Sequence, residues 1–190
     1  MEYRRGFKSE ANATATEIRA ELGLRALDRL DPWALAGHLE VPVIPLSDYG
    51  DDAPGALRHF TEVEVDAFSA VTVFRGPRRT IVCNDAHVPG RQASNVAHEL
   101  GHALLLHDPT PALDAQGCRL WDQSIEDEAQ WLAGALLLTE DAALSIVRSR
   151  TSLRVAAEHF GISEKMVTYR LNITGARKRI ARGRGLWIVR

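Results

Sequence analysis

The sequence has few cysteines, no long apolar run and no acidic residue near its C-terminal end. Its longest apolar stretch, residues 131–138, is far shorter than the roughly 20 residues that a membrane-spanning helix needs. Two cysteines, Cys83 and Cys118, are too few for a disulfide framework and too far apart for a Cys-x-x-Cys metal site. The first residues lack the apolar core of a signal peptide. We therefore expect a cytoplasmic protein with no membrane partner.

The composition is that of an ordinary globular protein, with 45% hydrophobic and 25% charged residues in 190. This excludes collagen, coiled coils and disordered chains. The formal charge of −2 conceals an uneven distribution, because residues 1–164 have a net charge of −10 and residues 165–190 carry eight basic residues and no acidic one. A basic tail on an acidic body fits a solvated helix, contact with an acidic partner or contact with nucleic acid.

The order of helix and strand patterns predicts an α+β protein. A helix over residues 9–22 precedes a second one, in which Asp31 caps a helix that begins at Pro32. A strand over 41–46 and two β-branched runs over 68–74 and 80–84 predict a small sheet, with the last two runs forming a hairpin. From residue 93 onward every periodic segment is helical. We expect helices over 93–106, 124–138, 139–148, 153–160 and 163–171.

The clearest chemical motif is His-Glu-x-x-His in the helix over residues 93–106. On a helix, residues four apart differ by only about 40° around the axis and about 6 Å along it, so His98 and His102 project side by side. Two imidazoles placed in this way suit one zinc ion. Glu99 could then reach water without binding the metal, and would act as the general base of a hydrolase.

A catalytic zinc site needs a third protein ligand and an open fourth position. His107 lies five residues after His102 and about 140° further round the helix, so it fits only if the helix has already ended. In the helix over 124–138, Glu126 and Glu128 point about 160° apart and cannot both bind. We prefer Glu126 and keep Glu128 as the alternative, because small and apolar residues recur from Glu126 at helical spacing. They are Ala129, Ala133, Leu136 and Leu137.

Four short motifs occur in a fixed order along the chain. They are Asn84-Asp85, Arg91-Gln92, Ala97-His98-Glu99-Leu100-Gly101-His102 and Glu126-x-Glu128-Ala129-x-x-Leu132-Ala133-x-x-Leu136-Leu137. Arg5-Gly6-Phe7-Lys8 and Leu30-Asp31-Pro32 extend the series towards the N-terminus. In these motifs the chain resembles the ImmA/IrrE family of metallopeptidase-like proteins over nearly its whole length.

The resemblance implies a zincin-like fold of the gluzincin kind, with a small antiparallel sheet packed on an active-site helix. It implies zinc bound by His98, His102 and Glu126, and Glu99 as the base that activates a zinc-bound water. Characterised members of the family cleave or antagonise helix-turn-helix repressors. The resemblance therefore implies a zinc endopeptidase whose substrate is such a repressor.

In gluzincins an edge strand beside the metal helix pairs with the extended substrate. The resemblance suggests the strand just before the metal helix for this role. Its residues are Thr80, Ile81, Val82, Cys83 and Asn84. The sequence does not specify which group besides zinc would stabilise the oxyanion, and Tyr169 and His107 are the candidate donors.

Residues 152–171 have the form of a helix-turn-helix, with Gly161 at the turn. If this pair contacts DNA, then Lys165, Tyr169 and Arg170 are exposed and the basic tail lies on phosphates. The interpretation that we favour is that the pair completes the peptidase core or docks a protein.

The predicted organisation is a zincin-like metallopeptidase domain over residues 1–150, followed by a helix-turn-helix-like helical segment with a basic tail over 151–190. The alternative function is a DNA- or protein-binding transcriptional regulator that uses the zinc peptidase fold without proteolysis. A protein partner is favoured over DNA.

Overall fold

A computed structural model of the chain describes residues 3–107 and 122–185, so Cys118 lies outside the described residues. The α-helices are α1 (Phe7–Glu21), α2 (Pro32–His38), α3 (Pro54–Arg58), α4 (Pro89–Leu104), α5 (Gln123–Leu137), α6 (Glu140–Ser149), α7 (Leu153–Phe160), α8 (Glu164–Ile173) and α9 (Ala176–Gly185). The strands are β1 (Val43–Pro45), β2 (Ala70–Arg75) and β3 (Arg78–Cys83). The predicted α+β class is confirmed.

The sheet has the strand order β1-β3-β2. β2 and β3 form the predicted antiparallel hairpin through a two-residue turn, in which Gly76 has a φ of 60°. β1 pairs with the other side of β3 in parallel, so the sheet is mixed rather than wholly antiparallel. β3 is therefore the middle strand, and the expectation that it is an edge strand is wrong. β1 is at an edge, as the prolines beside and within it predict.

Helix boundaries follow short polar residues that cap the first turn. Asp31, Thr139 and Ser163 each accept a hydrogen bond from a backbone amide two or three residues later, at 3.0–3.1 Å. Asp31 occupies the N-cap position that the sequence predicts, and Thr139 and Ser163 are the first residues of two of the predicted helical segments. The segment between β1 and β2 contains α3 and several short helical turns.

α5 is the central helix, with α4 packed on one side and α1 on another. The residues that α4 and α5 bury between and around them include Val96, Ala97, Leu100, Leu132, Ala133 and Leu136. Arg19 of α1 is also buried, and its guanidinium donates to the backbone oxygen of Leu136 at 2.6 Å. This hydrogen bond ties α1 to the end of α5.

The consecutive helices α5 and α6 are separated by two residues. They meet at a bend of 58°, and only together do they have the length and hydropathy of a membrane-crossing segment. Among the described residues, no single helix is both long enough and apolar enough to cross a membrane.

The helix pair α7–α8 is packed into the body rather than projecting from it. The Gly161 turn, with a φ of 66°, lies against the guanidinium of Arg29. Arg170 of α8 is fully buried and donates to the backbone oxygen of Leu138 at 2.8 Å. The domain boundary after residue 150 stays a prediction. The contacts of Gly161 and Arg170 connect the segment after this boundary to the segment before it.

Gly90 is the point at which α4 touches the turn between α7 and α8. A Cβ atom on Gly90 would lie 2.8 Å from the carbonyl carbon of Ile162 and 2.9 Å from the backbone nitrogen of Ser163. Because neither backbone atom can move without shifting a helix, we expect Gly90→Ala to lower the free energy of unfolding by about 1–3 kcal/mol. Chemical denaturation measures this change.

Gly37 provides the matched control for this substitution. It also lies in a helix, α2, but a Cβ atom there would have no neighbour within 4 Å. We expect Gly37→Ala to raise the free energy of unfolding by about 0.5–1 kcal/mol. If the two variants had the same stability, the contact at Gly90 would not be tight.

Candidate metal centre

Three potential metal ligands converge where α4 crosses α5. His98 and His102 lie one turn apart on α4, and Glu126 lies in the first turn of α5. The Nε2 atoms of the histidines are 3.1 Å apart, and Glu126 Oε2 is 3.1 Å from the His98 nitrogen and 3.7 Å from the His102 nitrogen. These atoms form a cluster that could hold a metal ion.

The chemistry and spacing of the donor atoms fit zinc. Tetrahedral zinc at about 2.0–2.1 Å from nitrogen and oxygen donors implies separations between donors of about 3.3–3.4 Å, and the three observed separations lie on either side of this value. Two neutral imidazoles and one carboxylate are the ligand set of a catalytic zinc site, which leaves a fourth position open. The side chains are 19–25% exposed, so the cluster lies in a partly open site.

A close approach of the two helices brings Glu126 within reach of the histidines. A Cβ atom on Gly101 of α4 would lie 2.8 Å from the backbone oxygen of Ala129, one turn after Glu126 on α5. Ala129 and Ala133 are fully buried, which confirms that the small-residue stripe beginning at Glu126 packs against the His helix. Glycine on one helix and alanine on the other therefore set the distance between the ligands.

The electrostatics of the cluster keep its carboxylate ionised. Burial alone would favour the neutral acid, but the neighbouring imidazoles of His102 and His98 hold the pKa of Glu126 at about 2. A metal ligand must be deprotonated, so Glu126 is in the form required for binding well below neutral pH.

Glu99 lies beside the cluster on α4 without joining it. Thr72 of β2 donates a hydrogen bond from its hydroxyl to Glu99 Oε2 at 2.5 Å. Thr72 and Glu99 are separated by 27 positions in the sequence, and no motif in the sequence indicated that they would meet. The contact places the edge strand of the sheet next to the candidate general base.

His107 and Glu128 lie behind the cluster. His107 Nδ1 is 2.9 Å from His102 Nδ1, and Glu128 faces His107 and Arg4 instead of the three donor atoms. Burial and the neighbouring His102 lower the pKa of His107 to about 4. Burial raises the pKa of Glu128, and Arg4 opposes this effect. The structure thus brings Glu126, and not the alternative Glu128, to the two histidines.

The strand selected for substrate binding is covered on both sides. Residues 81–83 pair with β1 on one side and with β2 on the other, so their backbone groups are already bonded. Ile81, Val82, Cys83 and Asn84 are all buried, and burial raises the pKa of the Cys83 thiol to about 11. The Asn84 amide donates to the backbone oxygens of Phe60 and Phe68 at 3.0 Å and so holds the preceding loop.

These contacts correct the prediction that residues 80–84, from Thr80 to Asn84, form a peptide-binding edge. The sequence predicts the strand β1, but its parallel pairing with β3 cannot be inferred from hairpin signals, because that pairing is a long-range contact. The edge strand that contacts the His helix is β2.

The residues proposed to read DNA are mostly unavailable. Lys165 is exposed, whereas Arg170 is fully buried and burial lowers its pKa to about 10. Tyr169 lies against Gly134, two turns beyond Glu126 on α5, and its hydroxyl oxygen is buried next to Tyr3. The exposure of all three residues that DNA contact would require is therefore not found. The location of Tyr169 argues against a role as an oxyanion donor.

The fold and cluster define a metallopeptidase-like α+β protein, and comparison with known families agrees. Residues 51–172 match the model of Peptidase_M78, the IrrE N-terminal-like domain. This match covers more than half of the chain, which therefore belongs to that family. Membership supports a zinc metallopeptidase-like or regulatory role.

Other comparisons add little to this assignment. No curated protein has a sequence that matches the chain significantly. A Mycobacterium tuberculosis transcriptional regulator of known structure aligns with a TM-score of 0.48 and 17% identity, over 88% of this chain and 47% of that one. This chain spans about half the length of that regulator, and the similarity is too low to support an argument about function.

Replacing Gly101 with alanine tests whether the helix crossing sets the metal geometry. The added Cβ would push against the Ala129 oxygen and move Glu126 away from the histidines. We expect Gly101→Ala to weaken zinc binding by roughly tenfold, the size of effect that misoriented ligands produce. Competition with a chromophoric chelator measures the affinity. Gly37→Ala is the control, and equal affinities in the two variants would contradict the role of the crossing.

Proposed function

We propose that this protein is a zinc-dependent endopeptidase that hydrolyses a peptide bond in a protein partner. One observation carries the proposal: three donor atoms of His98, His102 and Glu126 converge, while Glu99, a carboxylate on the same helix, stays outside the set. Hydrolysis needs both a metal site and a separate base.

The residues divide the chemical work between them. His98, His102 and Glu126 would hold zinc, which when bound polarises a substrate carbonyl and lowers the pKa of water. Glu99 would accept the proton of the attacking water and pass it to the leaving amine. Thr72 would hold the Glu99 carboxylate in place through the hydrogen bond at 2.5 Å.

The edge strand β2 is the part of the sheet that would align the substrate. Its residues alternate between half-buried and exposed positions, and Thr72 points towards Glu99. An extended peptide paired with β2 would gain backbone hydrogen bonds next to the base. This replaces β3 as the proposed substrate strand.

The substrate that we propose is a helix-turn-helix repressor in the cytoplasm. The family assignment supports this proposal, and the small number of cysteines in the sequence fits a reducing compartment. The exposed basic side chains of α9, Arg177, Lys178 and Arg182, would dock an acidic surface of the repressor.

A non-proteolytic DNA- or protein-binding regulator is the second candidate. The exposed basic face of α9 is the observation that favours it. DNA binding through α9 phosphate contacts would weaken steeply as salt rises. The buried Arg170 weighs against base recognition by α8.

The substitution Glu99→Gln tests the proposed chemistry. Glutamine keeps the shape and can accept the Thr72 hydrogen bond, but it cannot take a proton at neutral pH. We expect one zinc per chain to remain and cleavage of a repressor encoded beside this gene to fall by at least about 100-fold. Mass spectrometry of the repressor measures the cut.

The same experiment separates the two candidate functions. A single cut made by the native protein and lost in Glu99→Gln supports the peptidase. A stable complex with repressor or DNA, with no cut by the native protein, would instead favour the regulator. Cleavage that survives Glu99→Gln would refute the assigned base.

Thr72 offers a second test because its hydroxyl can be removed with little change in shape. We expect Thr72→Val to lower kcat by roughly tenfold or more, since the Glu99 carboxylate is then free to misalign. Thr72→Ser keeps the donor and should retain most of the activity. Zinc content should be the same in both variants, and equal kcat values would show that the hydrogen bond does not position the base.

A further inference from the structure

His107 and Glu128 form a chain of contacts behind His102. On the ring edge opposite the cluster, His102 Nδ1 is 2.9 Å from His107 Nδ1. His107 Nε2 is in turn 3.7 Å from Glu128 Oε2, which is within ion-pair range but longer than a hydrogen bond. Glu128 Oε1 lies 3.4 Å from Arg4 Nε. The side chains of His107 and Glu128 are 12% and 15% exposed, so these contacts lie largely out of water.

The direction of the protons along this chain follows from ligation. A neutral imidazole carries one proton, so a His102 that binds zinc through Nε2 carries its proton on Nδ1. That proton can be donated only to an unprotonated His107 Nδ1, which places the proton of His107 on Nε2. The His107 Nε2–H group then faces the Glu128 carboxylate. Each donor in the series therefore faces an acceptor, at hydrogen-bond distance for His102 and His107 and at 3.7 Å for His107 and Glu128.

The two candidate histidine ligands differ in this respect. His98 Nδ1 is buried and has no hydrogen-bond partner among the described residues, whereas His102 Nδ1 has one. Zinc-bound histidines generally use the second ring nitrogen to fix the tautomer and the ring orientation. Among the described residues, a hydrogen bond to Nδ1 therefore orients the His102 ring, and no such bond orients the His98 ring.

We infer that His107 is a positioning residue that holds the zinc ligand His102, and that Glu128 holds His107 in the tautomer this requires. The inference rests on zinc binding in the proposed function. His107 and Glu128 would thus support the metal ligands from behind. This role replaces the sequence-based predictions that His107 is an oxyanion donor and that Glu128 is an alternative ligand.

Substitutions at His107 test the inference through metal affinity. In His107→Phe the ring is kept but the acceptor is lost, and we expect zinc affinity to fall about 10–100-fold in a chelator competition assay. In His107→Asn a side-chain oxygen can accept the His102 Nδ1 proton, so most of the affinity should return. Glu128→Leu should weaken zinc binding less than His107→Phe, because it removes a contact one step further from the ligand.

A spectroscopic measurement separates positioning from general stability. The visible absorption spectrum of the Co²⁺-loaded protein reports ligand geometry, and it should change in His107→Phe and recover in His107→Asn. His38→Phe is the matched control, because His38 pairs with Glu21 at 2.9 Å on the surface. It should leave both zinc affinity and spectrum unchanged.

The outcomes distinguish this inference from the proposed function. Unchanged zinc affinity in His107→Phe, or an equal loss in His107→Asn, would overturn the inference while leaving the peptidase proposal intact. A native protein that binds zinc and responds to His107→Phe but cleaves nothing would support the inference and refute the peptidase. A native protein that binds no zinc would overturn both.

Discussion

The close approach of α4 and α5 at Gly101 is the constraint on which the metal centre depends. The space for a side chain at Gly101 is filled by the backbone oxygen of Ala129, 2.8 Å from where a Cβ would lie. Only at this separation can Glu126, one turn earlier on α5, approach both histidines of α4. Apolar burial on both helices supplies the driving force for the contact, and the missing side chain sets its distance.

Features that depend on local periodicity could be predicted from the sequence. The side-by-side histidines and the Ala129–Ala133 stripe follow from helix geometry, and each was found where the spacing placed it. The sheet order could not be predicted in this way, because the pairing of β1 with β3 joins residues far apart in the chain. For the same reason the contact between Thr72 and Glu99 could not be predicted, because these residues are close only in the folded chain.

The helix pair α7–α8 shows why a helix-turn-helix pattern is weak evidence for DNA binding. A cap at Ser163, a glycine turn and inward apolar residues are what any short helix pair requires. What distinguishes a DNA reader is exposed polar residues on the second helix, and here Arg170 is directed into the core, towards the Leu138 oxygen. The turn itself is occupied by contacts with Gly90 and Arg29. The burial of Arg170, which the local pattern does not encode, weighs against a DNA-reading role.

The residues that hold the candidate metal centre in place extend beyond the region matched to the family. The match begins at residue 51, yet α1 lies before it and packs on α5. Arg19 donates a hydrogen bond to a backbone oxygen near the end of α5. Arg4 contacts Glu128 behind the cluster, and the Arg4 guanidinium donates two hydrogen bonds, at 2.6 and 2.7 Å, to the Glu10 carboxylate. Because Arg19 of α1 contacts one end of α5 and Arg4, which precedes α1, contacts the other, the position of Glu126 depends on residues outside the matched region. In this chain, the N-terminal helix is part of the structure that fixes the candidate metal ligands.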